Sequence, residues 1–224
     1  MPKRPPNLLI FAIDSIRRDH MSCYGYPRLT TPHMDRLAVA GTLFENAFSA
    51  YIPTTPAYVT MLTGRDVIAN QQVALGPLGP MAEDQPTLPE LLRPAGYRSV
   101  MVGHGEWYRG FDKYLQYEGW GGPWDERPSR KAENLNNAVL PELERLHASK
   151  KPWMLYLRHM DPHSPYYPPP PYDSLFYSKN PCSRNLPNTM KAVRAFKPFA
   201  DYLLSWLPPG IRDAEFVIAQ YDGA

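Results

Sequence analysis

Three short apolar runs, each closing on polar residues, constrain the fold of this chain more than any other feature. They read NLLIFAID (7–14), RSVMVGH (98–104) and PWMLYLRHMD (152–161). Uninterrupted apolarity of this length suits a strand covered on both faces, the pattern of a parallel sheet. Helix signals stand between the runs. In TTPHMDRLAVAG, Thr31 takes an N-cap position, Pro32 the first helical one, and Gly41 a stop. In TLPELLRPAGY (87–97), Thr87 and Glu90 have capping-box spacing, and Gly96 follows the helix. A helix over 131–149 would carry Leu135, Val139, Leu143 and Leu146 on one stripe. Strands alternating with helices predict an α/β fold with a mostly parallel central sheet flanked by helices.

Composition narrows the function classes. The 224 residues are 43% apolar and 12% aromatic, enough for the core of one large domain and too apolar for global disorder. With 24 basic and 22 acidic residues the net charge is +2, so no strong field favours nucleic acid or a membrane surface as partner. The two cysteines, Cys23 and Cys182, make no disulfide framework and no CxxC. The apolar run before Asp14 is too short for a signal-peptide core or a membrane span, so a cytoplasmic protein is expected. The 27 prolines concentrate in PYYPPPP (165–171) and predict stiff loops. The stretch 165–210 shows no clear period and reads as an irregular surface segment, followed by an amphipathic helix in RDAEFVIAQYDGA that ends without a cap.

Ligands of open α/β sheets bind beyond the carboxyl ends of the strands. Asp14, His104 and RHMDPHSPY (158–166) all stand at such ends. Singly, a strand-end Asp is a turn acid and a lone His an ordinary hydrogen-bonder; their coincidence at one edge points to a site. His159, Asp161 and His163 alternate, so an extended backbone would turn all three to one side as zinc, manganese or iron ligands, although Pro162 bends the segment. In AYIPTTPAYVTMLTGR (50–65), Pro56 reads as the first helical residue and Gly64 as the end. Thr54 and Thr55 then stand where free N–H groups and the helix dipole favour an anion. One threonine could simply cap the helix, worth about 1 kcal/mol. Alternatively, a hydroxyl there could attack a phosphate or sulfate ester.

IFAIDSIRRDHMSCYGY (10–26), TPHMDRLAVAGTLFENAFS (31–49), TTPAYVTMLTGR (54–65), GYRSVMVG (96–103), GFDKY (110–114) and YLRHMDPHSPYYPP (156–169) follow in an order that resembles the sulfatases of the alkaline phosphatase superfamily. The resemblance spans nearly the whole chain. It implies that Asp14 binds a divalent metal (zinc, manganese or calcium, one ion or two), with Ser15 where many members have a second Asp. The family's nucleophile motif is Cys-x-Pro-Ser-Arg, then a helix ending Thr-Gly-Arg. Counting back from TGR (63–65) puts Thr54 at the Cys, Pro56 at the Pro, Ala57 at the Ser and Tyr58 at the Arg. Threonine cannot be oxidised to formylglycine, so the resemblance implies a metal-bound Thr54 nucleophile attacking phosphorus, with Thr55 the nearer rival. It implies that His163 contacts the transferred group or the leaving oxygen. In place of Gly-Lys-x-His this chain has His104 and Glu106. The family's second metal pair comes from a later strand, so the sequence resembles the N-terminal portion of such an enzyme, completed by a missing C-terminal half or by a homo-oligomeric partner.

The reading is thus a metal-dependent hydrolase of small-molecule phosphate mono- or diesters in its intact form. Thr54 and His163 would be catalytic, His104, Tyr58 and Thr55 would bind the anion, and Asp14 and Thr54 would hold metal. Arg17 and Arg18 are expected to be structural. One rival is a sulfate-ester hydrolase of the same family. Another is a non-catalytic module presenting YYPPPPY as a polyproline II ligand, or a fragment with half a metal site.

Overall fold

A computed structural model describes residues 5–76, 81, 84–103, 108–117, 131–197 and 199–224. The contacts divide the chain into two compact units. The first takes Met1–Ala12, Asn46–Glu118 and Glu133–His159; the second takes Ile13–Glu45, Gly119–Ala132 and Met160–Ala224. In chain order the strands are β1 (Leu8–Ile13), β2 (Arg98–Gly103), β3 (Lys113–Gln116) and β4 (Trp153–His159). The helices are α1 (Pro32–Ala40), α2 (Thr54–Thr63), α3 (Val67–Asn70), α4 (Leu88–Leu92), α5 (Lys131–Ala148), α6 (Met190–Ala195), α7 (Phe199–Leu203) and α8 (Ala214–Gly223).

The first unit is built on a four-stranded sheet in the order β1-β4-β2-β3. β2 pairs in parallel with both β3 and β4, with Val100 opposite Lys113 on one side and Leu155 on the other. The central strands are the apolar runs, and β4 is buried from Trp153 through Arg158. On one face Met101, Met154 and Tyr156 pack with Val59 and Leu62 of α2, and Leu88 and Leu92 of α4 pack against them. The alternate residues Val100, Val102, Leu155 and Leu157 are buried as well. Leu135, Val139 and Leu146 of α5 are also buried, and Lys113 Nζ reaches Glu142 Oε2 from β3 at 2.7 Å. The capping box at α4 forms as its spacing requires: Thr87 N–H donates to Glu90 Oε2 at 2.8 Å.

β1 departs from the reading of a fully covered strand. It is an edge strand, with Leu8, Ile10 and Ala12 against the core but Leu9 and Phe11 half exposed. An apolar run reports which side chains tolerate burial, and an edge position covers only one face of it. β3 was not anticipated, since KYLQ is too short and too polar to stand out.

The second unit has its own core of Met190, Trp206, Leu207 and Ile211, with Tyr166, Val193, Phe216 and Val217 packed against it. The prediction that 165–210 is only surface wrapping is therefore corrected. The stretch to about 189 is turns without helix or strand, but α6 and the segment after α7 contribute to a buried cluster. Isolated apolar residues between prolines show no period, yet they converge once the chain turns back. α8 has the N-cap that Asp213 supplies to Glu215 N–H, at 3.2 Å. Cys23 and Cys182 are both free. Among the described residues no helix is long and apolar enough to cross a membrane.

Candidate active site

In the first unit, the apolar positions of α2 anchor it on the sheet and so fix its first turn. The helix begins at Thr54, with Pro53 as N-cap, and ends at Gly64, whose φ of 65° is the left-handed conformation of a C-cap. The expectation that Pro56 opens the helix is corrected by two positions. A proline in the first turn costs nothing there, because those N–H groups have no intrahelical acceptor in any case. The capping reading fails for the same reason: both threonines lie inside the first turn, and no side chain caps it.

The two threonines are then told apart by their partners. Thr55 is buried, and its Oγ1 accepts the Gly76 N–H at 3.0 Å, so it fixes a loop. Thr54 is half-buried, and no hydrogen bond of its hydroxyl is found among the described residues. The first turn leaves the N–H groups of Thr54 and Thr55 without intrahelical acceptors, at the positive end of the helix dipole. One turn on, Tyr58 makes T-shaped contacts with Tyr108 and Tyr156 at 6.1 and 6.3 Å. The Arg158 guanidinium lies over its ring, 5.3 Å from the centroid. Tyr58, read as an anion ligand, is thus placed as an aromatic platform under a cation. Arg158, from the end of β4, went unnoticed in the sequence because a strand-end arginine usually reaches solvent; here it is 5% exposed. His104 and Glu106 lie outside the described residues.

In the second unit, Asp14 is buried and accepts from Ser15 Oγ at 3.2 Å. Ser15 itself adopts φ 59°, a left-handed turn directly after β1. The loop is stapled by α8. The Tyr221 hydroxyl donates to Ser15 O at 2.9 Å, and its phenol oxygen accepts the Arg17 N–H at 2.7 Å. Burial is the main cause that pushes the Tyr221 phenol up to about 12. Its neighbour Asp222, fully buried, takes His20 Nδ1 at 2.6 Å, Tyr26 OH at 2.7 Å and Arg28 Nη1 at 2.6 Å. Arg28 also pairs with Glu215. The side chain of Arg17 pairs with Asp19, and that of Arg18 covers the Tyr24 ring at 4.9 Å. Beside this loop, Ser15, Arg17, His20, Tyr166 and Tyr221 line one side of a cavity of about 520 Å³ whose other wall is apolar.

His163 also belongs to the second unit. Its Nδ1 lies 2.8 Å from Ser164 O. A carbonyl only accepts, so the neutral ring carries its proton on Nδ1 and its lone pair on Nε2. The local metal triad is not made. His159 sits in the first unit with its ring against Phe11 at 5.7 Å, and Asp161 accepts the Ala132 N–H at 3.2 Å. Those two partners, and the bend at Pro162, undo the alternation that a straight strand would give. Among the described residues no three His, Cys, Asp or Glu side chains converge as a metal cluster. Asp14 contributes one buried carboxylate, and the described residues do not by themselves complete a metal shell.

The family is decided by the sequence as a whole, because the profile of the sulfatase family matches residues 6–218. The chain belongs to the sulfatase family. Human N-acetylgalactosamine-6-sulfatase is 36% identical over 118 residues, which is 48% of this chain and 22% of the human protein. Among solved structures, the phosphonate monoester hydrolase of Agrobacterium radiobacter has a TM-score of 0.69 at 20% identity, covering 98% of this chain and 56% of that one. A second, solved with its substrate D-glucosamine-2-N,6-O-disulfate, has a TM-score of 0.67 at 22% identity, over 98% and 52%. These likenesses agree on the alkaline-phosphatase-like fold. The chain spans just over half of these solved chains, and its match covers about a fifth of the human sulfatase. Enzymes of this family are hydrolases and generally use a divalent metal ion.

Proposed function

We propose that the intact protein hydrolyses phosphate mono- or diesters with Thr54 as the nucleophile. The observation that carries this reading is the division of labour in the first turn of α2. Thr55 is committed to Gly76, whereas no hydrogen bond of the Thr54 hydroxyl is found among the described residues. In the proposed reaction Thr54 Oγ1 bonds to phosphorus as the bond to the ester oxygen breaks, the Thr54 hydroxyl proton passes to the leaving oxygen, and water then cleaves the phosphothreonine, restoring the hydroxyl and releasing the phosphate group. The N–H groups of the first turn favour the transferred anion, and the nearby Arg158 adds positive charge. His163 would contact the leaving oxygen through Nε2, since its Nδ1–H is engaged by Ser164 O. Asp14 is the carboxylate that this chain offers a divalent ion, zinc, manganese or calcium being the candidates.

A second reading, sulfate-ester hydrolysis, is favoured by the relatives' names, which are sulfatases at 31–36% identity. The residue at position 54 speaks against it, since threonine cannot supply a formylglycine hydrate. The test is to assay the full-length protein on aryl phosphate, diaryl phosphate and aryl sulfate. Thr54-dependent turnover of a phosphate ester, with phosphate trapped on Thr54, is expected. Faster turnover of the sulfate would install the second reading, and undiminished activity in Thr54→Ala would remove the nucleophile.

A further inference from the structure

The part of the second unit that the proposed chemistry does not use holds a cavity of about 400 Å³ whose lining includes three arginines, Arg184, Arg194 and Arg212. No carboxylate lines it, and Asn188 adds an amide. Elsewhere in this unit Arg17 pairs with Asp19, and Arg28 with Asp222 and Glu215. These three make no ion pair among the described residues. Arg212 Nε is buried with no hydrogen-bond partner at all among the described residues.

The Arg212 backbone is held on both sides. Its N–H donates to Pro181 O at 2.9 Å, and its carbonyl accepts from Met190 N–H at 3.1 Å and Thr189 Oγ1 at 3.3 Å. Its neighbour Ile211 is 3% exposed in the unit's core. These bonds fix the backbone from which the guanidinium enters the cavity lining. A buried donor left unsatisfied is costly, and three cations around one cavity repel unless an anion sits among them. Planar guanidinium forks match the oxygens of a tetrahedral oxyanion two at a time.

We propose that this cavity is an oxyanion site for a sulfate or phosphate group held by Arg184, Arg194 and Arg212. Its volume exceeds what one tetrahedral anion needs, so a group pendant on a saccharide or other carrier fits as well as the free ion. The site gives a chain with little net charge one local point of attachment for a polyanion.

The test is calorimetric titration of the full chain with sodium sulfate, and separately with a sulfated tetrasaccharide, at low ionic strength against matched chloride. Saturable binding of one anion per chain is expected. Arg212→Gln and the double variant Arg184→Gln/Arg194→Gln should each weaken it about tenfold or more, as for loss of a charge-assisted hydrogen bond. The double variant changes exposed residues only, so it answers the question even if Arg212→Gln unfolds. Tighter binding of the tetrasaccharide identifies the pendant group as the ligand; equal binding identifies the free ion. No saturable binding, or equal affinity in wild type and double variant, overturns the site. Neither result bears on Thr54, whose variants should bind sulfate here as the wild type does.

Discussion

Replacing Asp222 by alanine should destabilise the second unit by about 3–4 kcal/mol. The carboxylate is fully buried and accepts from His20, Tyr26 and Arg28 at 2.6–2.7 Å. A hydrogen bond to a charged group is worth about 1.5–3 kcal/mol net. The three do not add, because they share one acceptor. Removing one partner of a buried ion pair costs about 3–5 kcal/mol, since the remaining charge loses its compensation. Glu215 still holds Arg28, which places the expected loss in the lower half of that range. Asp222→Asn keeps the shape and one acceptor oxygen, so about half the loss is expected. Urea unfolding of the full chain, followed by circular dichroism and tryptophan fluorescence, measures both. With a slope of about 2 kcal/mol per molar urea, the alanine variant should shift the midpoint of the transition that reports this unit by roughly 2 M. A loss below about 1 kcal/mol for alanine, or an equal loss for asparagine, would refute the view that this carboxylate organises the loop behind Asp14.

Three further outcomes follow from the same geometry. Thr54→Ala should abolish turnover yet leave stability within about 0.5 kcal/mol, whereas Thr55→Val should cost about 1–3 kcal/mol by stranding the Gly76 N–H; thermal melts and rates of both variants decide, and the reverse pattern would exchange their roles. The phenols of Tyr26, Tyr177 and Tyr221 are pushed up to about 12, chiefly by burial, with carboxylate acceptors adding for Tyr26 and Tyr177. Their unfolded counterparts ionise near pH 10. Their contribution is therefore whole below about pH 10 and lost as pH rises toward 12; an unfolding midpoint that stays flat across that window contradicts it. Gly110 has φ 101°, and an added Cβ would meet Thr87 Oγ1 and stand 2.6 Å from Glu90 Cγ. Gly110→Ala should thus cost about 2–5 kcal/mol from strain and overpacking together, and an unchanged melting temperature would show that the capping box gives way freely.

The parallel strands, the capping box at Thr87 and Glu90, and the stripe on α5 were legible because each is a local pattern whose period or spacing is fixed by backbone geometry. Placing Thr54 at the family's nucleophile position needed only linear order, counting back from Thr-Gly-Arg. What linear order could not show was which of the two hydroxyls is hydrogen-bonded. They are adjacent and chemically identical, and a loop twenty-one residues downstream decides which hydroxyl is committed. The same holds for Arg158 over Tyr58 and for Asp222 with His20, Tyr26 and Arg28, whose partners lie 100 and about 200 residues apart. A charge or hydroxyl takes its role from the group that faces it. Sequence fixes the inventory and the local periods, and only folding chooses the facing pairs.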